Sequence, residues 1–253
     1  PGLRVGVVSR GYGAAKSSAR LVDAQSDPAT VGDEPVLIAT RAKCPVAVGV
    51  RRIEAALLLA ERDDVDVIVT DDGLQHYALQ RDVEIAVVDQ RTGLGNGWLL
   101  PAGPLREPPW RHETVDYVVT NGDASGFDVM PTGVYRVDGE SDTRQIADFS
   151  GSRVNAVAGI AQPDKFFALL QSLGMKLNTR VFADHHHFVP TDLQFDNEHD
   201  TLMTEKDAVK CKGFAGPEVW ALRIDAVLAR EWSDDLLRQV TNLVAHYARD
   251  RHA

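Results

Sequence analysis

The sequence predicts an α/β fold, in which helices cover both faces of a parallel β-sheet. Two observations carry this prediction: short apolar runs rich in β-branched residues recur through the first half, and segments of helical periodicity separate them. The runs that we predict as strands are residues 3–8, 45–49, 65–70, 83–88 and 115–120. Functional groups in such sheets collect beyond the carboxyl ends of the strands. We therefore expect one functional edge, made of Ser9, Arg10, Asp71, Asp72 and Asp89.

A polar segment rich in turn residues, 122–151, indicates a junction between this unit and a second, smaller α/β unit. In the second unit a helix is predicted to begin at Pro163 and to stop at Gly174. The strands predicted there are residues 154–160, 180–182, 201–204 and 219–224. A final amphipathic helix is predicted from apolar residues at helical spacing, namely Trp232, Leu236, Val240, Leu243, Val244 and Tyr247.

The composition argues against several classes of protein. The formal net charge is −10 and the pI is near 5.2, which disfavours a general nucleic-acid-binding surface. Cys44 and Cys211 form neither a metal-binding spacing nor a disulfide framework, so a reducing compartment is the simpler interpretation. No apolar run approaches the ~18–20 residues of a membrane span. The chain starts at Pro1 without a methionine and enters a strand almost at once, from which we expect that an N-terminal piece is absent.

The stretch V67-I-V-T-D-D-G-L-Q-H76 places two carboxylates directly after an apolar strand. This is the Walker-B arrangement, in which a carboxylate holds Mg²⁺ directly or through water beside the phosphates of a nucleotide. A turn that only ends the strand is the alternative, because Asp-Gly is a common turn dipeptide. Gln75 and His76 add polar groups at the same edge, and this favours a functional role for Asp71 and Asp72.

Two acidic segments stand where helices are predicted to begin. Asp33, in G32-D-E-P35, fits either a helix N-cap with Glu34 in the first turn, or a base near the phosphates. In T204-E-K-D207 the carboxylates are expected to cap the next helix, whereas Lys206 could reach a phosphate.

A run of three histidines follows a predicted strand in F182-A-D-H-H-H-F188. A carboxylate bonded to an imidazole sets its tautomer and raises its basicity, so Asp184 and a histidine suit general-base work. A metal site is an alternative, but in extended chain His185 and His187 face one way and His186 the other. A histidine cluster without function in a loop is the third interpretation.

The longest unusual stretch, D89-Q-R-T-G-L-G-N-G-W-L-L-P-A-G-P-L-R-E107, has the glycines and prolines of a shaped loop. Loops of this length are usually functional or disordered. Arg91 and Arg106 could contact anionic groups of a substrate as fork-shaped donors. An ordinary surface loop is the alternative.

Six segments, in order and spread over nearly the whole chain, together resemble the tetraacyldisaccharide 4′-kinase (lipid A 4′-kinase) family. The segments are S9-R-G-Y-G, G32-D-E-P, D71-D-G-L-Q-H, G95-N-G-W-L-L-P-A-G-P-L-R-E, F182-A-D-H and M203-T-E-K-D-A-V-K-C. The resemblance implies a P-loop-NTPase-like parallel sheet domain with a second, smaller α/β domain. It also implies transfer of the γ-phosphate of ATP, with Mg²⁺, to the 4′-hydroxyl of a tetraacyldisaccharide 1-phosphate lipid. The expected place is the cytoplasmic face of the bacterial inner membrane, with no nucleic-acid partner.

The resemblance assigns roles to the residues at matching positions. The catalytic pair that activates the sugar hydroxyl is expected to be Asp33 and His185. The expected magnesium residues are Asp71, Asp72 and Glu34. The residues expected on the nucleotide side of the cleft are Ser9, Arg10, Tyr12 and Gln75. The expected substrate contacts are Arg91, Asn96 and Arg106.

The family normally begins with a membrane-anchoring helix and then a P-loop, and neither is found in these 253 residues. The nearest match to G-x-x-x-x-G-K-[ST] is G11-Y-G-A-A-K-S17, in which Ala15 stands at the glycine position before Lys16. We therefore expect a fragment, or a mis-started reading frame, of a family member. By itself it is expected to be peripheral at the membrane and to show no measurable phosphorylation.

The resemblance also implies a division of the chain. A kinase core is expected at residues 1–128 and 229–253, a two-stranded connector at 129–150 and 218–228, and the smaller domain at 151–217. Asp33 and His185 would then face each other across the cleft between the domains, so that closure assembles the site.

Two rival functions remain open from the residues alone. One is a metal-dependent phosphoesterase that binds two divalent ions through Asp71, Asp72 and the Asp-His-His run. Tightly held Mn²⁺ or Zn²⁺ would favour it, whereas weak Mg²⁺ that depends on ATP favours the kinase. The other rival is a non-catalytic lipid-binding module, which should tolerate alanine at Asp33 and His185.

Overall fold

The computed structural model describes residues 2–11 and 18–250. Within these ranges the chain forms twelve strands and six α-helices. The strands are β1 (Val5–Ser9), β2 (Arg20–Val22), β3 (Val46–Val48), β4 (Val67–Thr70), β5 (Ile85–Asp89), β6 (Tyr117–Asn121), β7 (Phe127–Arg136), β8 (Gly139–Arg144), β9 (Arg153–Ala158), β10 (Lys176–Val181), β11 (Thr201–Thr204) and β12 (Val219–Leu228). The helices are α1 (Pro28–Val31), α2 (Asp33–Ala42), α3 (Arg52–Ala60), α4 (Pro163–Ser172), α5 (Glu205–Ala208) and α6 (Arg230–Asp250).

The strands are arranged in two sheets. The four-stranded sheet has the order β2-β3-β1-β4, in which β1 runs parallel to β3 and β4 while β2 is antiparallel to β3. The eight-stranded sheet has the order β10-β9-β11-β12-β7-β6-β5, with β8 paired to β7. Parallel pairs with helical connections predominate, which confirms the predicted α/β class.

The five strands that were expected to share one parallel sheet are divided between the two sheets. β5 pairs with β6, and β6 joins β7, whereas β1, β3 and β4 belong to the smaller sheet. Asp89, which ends β5, is therefore not on the sheet edge that carries Ser9 and Asp71, and this part of the prediction is wrong. Sequence patterns identify apolar strands, but the pairing partners are chosen by packing between distant segments.

Most of the segment predicted as a junction, 122–151, forms a hairpin of β7 and β8. β7 also pairs antiparallel with β12 along its length. β7 and β12 lie largely within the two ranges that were expected to form a two-stranded connector, 129–150 and 218–228. Pro131 and Gly133 interrupt the apolar pattern of β7. A register shift between Arg223 and Ile224 occurs opposite these two residues. Such a bulge accommodates a proline, which has no N–H to donate to a neighbouring strand. The proposed division into kinase core, connector and smaller domain stays a prediction.

Two contacts fix helix α2 against the second half of the chain. Val209, which follows α5, packs in one buried cluster with Val36 and with residues of the small sheet. Arg41, near the end of α2, donates from Nη1 to Glu205 Oε1 at 2.8 Å. The N-terminus of α2 is therefore positioned beside α5, and this placement determines the geometry of the site.

The last helix packs against residues from the first half. Tyr117 donates its hydroxyl to Asp235 at 2.8 Å, and Tyr247 donates to Asp82 at 2.7 Å. The indole of Trp232 donates to the carbonyl oxygen of residue 126 at 2.8 Å. Among the described helices, none combines the length and apolarity that crossing a bilayer requires.

The two thiols are expected to differ in reactivity. Cys211 is fully buried, and burial raises its pKa to about 12, with the nearby carboxylate of Asp207 adding to the effect. Cys44 is partly exposed, although burial raises its pKa too. Because the thiolate is the reactive form, an alkylating reagent at mildly alkaline pH should modify Cys44 first and Cys211 only after unfolding. Peptide mass spectrometry measures this, and equal labelling of both in the native protein would contradict it.

Candidate active site

The first wall of the site is made where β1 and β4 end. These strands are parallel neighbours, with Val8 paired to Thr70, so the residues that follow them lie side by side. Ser9 is buried, and its hydroxyl donates to Asp71 Oδ2 at 2.9 Å. The two positions expected at the functional edge of this sheet are thus in direct contact.

Asp71 and Asp72 differ sharply in their surroundings. Burial raises the pKa of Asp71; the hydrogen bond from Ser9 works to lower it, and the charges of Glu34 and Asp72 raise it further. Asp72 has an exposed side chain and a φ of +47°, in the left-handed region. Its Oδ2 lies 3.8 Å from Nη1 of Arg106. The three residues expected to bind magnesium therefore concentrate negative charge in one region.

The second wall is the N-terminus of α2. Gly32 is the N-cap, with a φ of 95°, and Asp33 is the first residue of the helix. An N-cap at Asp33, one of the two roles that the sequence allowed, is one position too late: the cap is Gly32, whose φ only glycine adopts without strain. The Asp33 side chain is almost fully buried, and Oδ1 accepts from the backbone N–H of Glu34 at 2.9 Å. The carboxylate thus lies at the N-terminus of α2, the positive end of the helix dipole.

His185 reaches across to this carboxylate. Its Nδ1 lies 3.0 Å from Oδ2 of Asp33, a hydrogen bond between residues 152 positions apart. A carboxylate accepts, so Nδ1 is the donor in this hydrogen bond. The sequence suggested Asp184 as the orienting partner, but its Oδ2 lies 3.8 Å from Nε2 while Oδ1 accepts from the backbone N–H of His185. The partner of the imidazole Nδ1 is therefore Asp33.

The three histidines do not lie in extended chain. His185 has a φ of +58° within a turn, so the expected alternation of the side chains is wrong. The ring of His186 stacks on Phe182 at 4.3 Å between centroids, and its Nε2 lies 2.9 Å from Oδ2 of Asp192. His187 is exposed. In residues 2–11 and 18–250 no three His, Cys, Asp or Glu side chains converge in a metal-binding group, and this includes Asp71, Asp72 and Glu34. One or two carboxylates are enough for Mg²⁺, because waters and nucleotide phosphates complete its coordination.

Helix α5 contributes charges that the sequence interpretation underestimated. Thr204 caps this helix by accepting from the backbone N–H of Asp207 at 3.1 Å, so the carboxylates are not the caps that we expected. Lys206 donates to Glu34 at 3.0 Å and lies 3.8 Å from Asp184. Burial works to lower the pKa of Lys206, but the bond to Glu34 and the surrounding carboxylates raise it overall. Contact of Lys206 with a phosphate stays a prediction.

The remaining predicted site residues in the described part of the chain lie on the surface. Arg91 is exposed, 3.8 Å from Asp89, and Gln75 donates to Glu107 at 2.9 Å. Both polar atoms of the Asn96 amide are engaged inside their own loop, one donating to the carbonyl of residue 102 and the other accepting from the N–H of residue 98. Arg10 is exposed at the end of β1. Tyr12 lies outside the described residues.

A buried arginine near the two aspartates was missed by sequence reasoning. Arg52 is 7% exposed at the start of α3. Burial lowers the pKa of its guanidinium, and the charges of Asp72 and Asp71 work against that shift. Nothing in the local sequence distinguishes it from a surface residue, because its burial depends on the neighbouring strands.

Comparison with known proteins gives a uniform result. The family model LpxK, described as tetraacyldisaccharide-1-P 4′-kinase, matches residues 1–241. The tetraacyldisaccharide 4′-kinase of Dechloromonas aromatica is 47% identical over 243 residues, which are 90% of this chain and 72% of that protein. The tetraacyldisaccharide 4′-kinase of Pasteurella multocida is 48% identical over 240 residues, 91% of this chain and 73% of that protein.

A solved structure is also similar. It is the crystal structure of an "apo" form of LpxK from Aquifex aeolicus in complex with ATP, with a TM-score of 0.77 and 26% sequence identity. The similarity covers 95% of this chain and 79% of that one.

Proposed function

Because the chain belongs to the tetraacyldisaccharide-1-P 4′-kinase family, we propose that its site serves transfer of the ATP γ-phosphate to the 4′-hydroxyl of a tetraacyldisaccharide 1-phosphate in lipid A biosynthesis. Members of this family are ATP-dependent kinases. The observation that supports the proposal most directly is the hydrogen bond between Asp33 and His185, beside the carboxylates of Asp71 and Asp72.

The proposed chemistry follows from the orientation of His185. Its Nε2 takes the proton of the 4′-hydroxyl as that oxygen forms a bond to the γ-phosphorus, and the bond to the β–γ bridging oxygen breaks to release ADP. Asp33 stabilises the imidazolium that forms, as carboxylates do for catalytic histidines. Placement of the reactants in line and neutralisation of phosphate charge supply most of the acceleration in such transfers.

The carboxylates fit a magnesium ion by their chemistry. Asp71, Asp72 and Glu34 provide the hard oxygen donors that Mg²⁺ prefers. Burial is the main cause of the raised pKa of Asp71, and the charges of Glu34 and Asp72 add to it; a divalent cation would relieve that repulsion. When bound, Mg²⁺ would neutralise negative charge on the β- and γ-phosphates.

The other predicted residues surround this centre in the proposal. Ser9 holds Asp71 in place, and Arg10 and Gln75 face the nucleotide side. Arg91 and Arg106, both exposed, meet the anionic groups of the lipid. The amide of Asn96 contributes by shaping its loop. Since the substrate is a membrane lipid, the proposed place of action is the cytoplasmic face of the inner membrane.

The activity is tested by transfer of radiolabelled γ-phosphate to the tetraacyldisaccharide 1-phosphate in mixed micelles. The assay compares the 253-residue chain with a fusion that places the N-terminal segment of the Dechloromonas aromatica kinase ahead of Pro1. We expect no measurable transfer by the chain alone, because it has no P-loop sequence, and transfer by the fusion. The fusion protein is also the parent for the variants below. A folded fusion that binds ATP but never phosphorylates the lipid would contradict the proposed function.

Neutralising the carboxylates should change the requirement for magnesium. In the fusion, Asp71→Asn and Asp72→Asn are each expected to lower kcat by about 10²-fold and to raise the Mg²⁺ concentration at half-maximal rate. Asp66→Asn is the matched control, because Asp66 lies at the opposite end of β4 and pairs with Arg4. It should leave the magnesium dependence unchanged. Unaltered magnesium titrations for both site variants would remove these residues from the proposed metal site.

A further inference from the structure

The segment after α5 carries a buried cation that the chemistry above does not use. The side chain of Lys210 is 9% exposed, and its Nζ lies 2.8 Å from Oδ1 of Asp207 and 3.7 Å from Oδ2 of Asp33. The ring of Phe188 closes a third side, with its centroid 5.0 Å from Nζ. The ammonium is thus enclosed by two carboxylates and an aromatic face.

Asp207 gives this cation a rigid anchor. It has no exposed surface, and its Oδ2 accepts from the backbone N–H of Gly159 and from the hydroxyl of Thr204, both at 2.9 Å. Oδ1 forms an ion pair with Nζ of Lys210, at a distance of 2.8 Å but without hydrogen-bond geometry. A buried ammonium is costly unless it is paired, so Lys210 is held between Asp207 and Asp33.

The oxygen of Asp33 that is nearest to Lys210 is also the one that bonds to the catalytic histidine. Oδ2 lies 3.0 Å from Nδ1 of His185 and 3.7 Å from Nζ of Lys210, while Oδ1 accepts from the N–H of Glu34. Both oxygens of the Asp33 carboxylate therefore have partners. Rotation of the carboxylate would break the contacts of Oδ2 with His185 and Lys210 and that of Oδ1 with Glu34. The lysine acts on the atom that orients the imidazole.

The charges of this cluster agree with its geometry. The carboxylates of Asp33 and Asp207 carry two negative charges, and Lys210 supplies one positive charge. Lys206 is a second cation that interacts with the Asp33 carboxylate, so this carboxylate lies between two lysines.

We propose that Lys210 is a positioning residue, whose ammonium, anchored by Asp207, holds the Asp33 carboxylate in the orientation that keeps His185 ready to act as a base. This role rests on the proposed function of the Asp33–His185 pair. Lys210, Asp207 and His185 come from the second half of the chain and Asp33 from α2. Lys210 therefore also joins the two halves of the chain at the place where Asp33 and His185 form their hydrogen bond.

The kinetic test uses the fusion protein with Lys210→Met, Lys210→Arg and, as a matched control, Lys212→Met. Lys212 is a neighbouring, partly buried lysine whose Nζ lies 2.6 Å from Oε1 of Glu140. We expect Lys210→Met to lower kcat by roughly 10- to 100-fold, as loss of a supporting partner does at orienting carboxylates, with KM for ATP nearly unchanged. Lys210→Arg should recover most of the rate, and Lys212→Met should resemble the parent.

A double substitution separates positioning from a general structural role. If Lys210 acts through Asp33, Lys210→Met should add little further loss in an Asp33→Asn background. If the lysine only supports the fold, the two losses should multiply, and the proposal is wrong.

A second readout uses the 253-residue chain and needs no activity. The proton on Nδ1 of His185 should give a slowly exchanging NMR signal in the parent and in Lys212→Met, and should exchange rapidly in Lys210→Met. Circular dichroism verifies that each variant is folded, and Lys210→Gln, which also removes the charge, replaces Lys210→Met if the latter does not fold.

The outcomes distinguish this inference from the function on which it rests. Loss of activity in His185→Ala together with full activity and an unchanged NMR signal in Lys210→Met overturns the role of Lys210 and leaves the kinase proposal intact. Full activity in His185→Ala would overturn the proposed catalytic pair, whatever Lys210 does.

Discussion

Replacing His185 by alanine in the fusion protein is expected to lower kcat for lipid phosphorylation by about 10²- to 10⁴-fold, the range that a positioned general base contributes. The imidazole is bonded to a buried carboxylate through Nδ1, and its other nitrogen, Nε2, is the proposed base. Asp33→Asn should cause a loss of similar order, because an amide at this position no longer stabilises the imidazolium. Single-turnover measurements with saturating ATP separate this loss from effects on product release.

The histidine run provides matched controls for that experiment. His187→Ala removes an exposed imidazole from the same segment and should leave kcat close to the parent value. His186→Ala removes the ring that stacks on Phe182 and pairs with Asp192, so it should lower thermal stability more than turnover. If His187→Ala were as damaging as His185→Ala, the assignment of the base to His185 would be wrong.

Replacing Asp207 by alanine should give the largest loss of stability, about 3–5 kcal/mol in the free energy of unfolding, the range for breaking a buried ion pair. The substitution removes the 2.8 Å partner of Lys210 and the acceptor of the N–H of Gly159 and of the Thr204 hydroxyl. Desolvated groups would remain without partners in a place that water does not reach. Equilibrium unfolding in urea measures the change, with a constant slope as the sign of unchanged two-state behaviour.

Two further variants identify the cause of that loss of stability. Asp207→Asn keeps an acceptor for the backbone N–H but removes the charge, so its loss should be intermediate. Asp123→Ala is the surface control, because Asp123 bonds only within its own turn to Ser125 among the contacts given by the structure, and its effect should stay below about 1 kcal/mol. A loss below about 1 kcal/mol for Asp207→Ala would show that water or a local shift compensates for the missing carboxylate.

The sequence predicted most of the individual elements. The β-branched run before Asp71 and the pattern of residues 201–204 both became strands near the expected positions, because buried strands have a strong apolar signature. The motif resemblance predicted the family, which the similar proteins confirm. It also proposed the pairing of Asp33 with His185, two residues that no local pattern connects.

What the sequence could not predict depends on distant contacts. Asp184 is adjacent to His185 in sequence, but the turn at His185 directs the imidazole Nδ1 to Asp33. Asp207 has the pattern of a helix cap on the surface, and its burial arises only when β9, β11 and α2 surround it. The division into two sheets likewise depends on the pairing of β5 with β6 and of β6 with β7, which no local pattern specifies.

Of the three described residues other than glycine that have positive φ, two are candidates for the chemistry, Asp72 and His185. The left-handed conformation costs an ordinary side chain about 1–2 kcal/mol that glycine does not incur. A mutant library selected for heat resistance alone would therefore drift towards glycine at both positions and lose turnover as its melting temperature rose. At these two positions, selection for thermal stability favours glycine, whereas selection for activity favours the aspartate and the histidine.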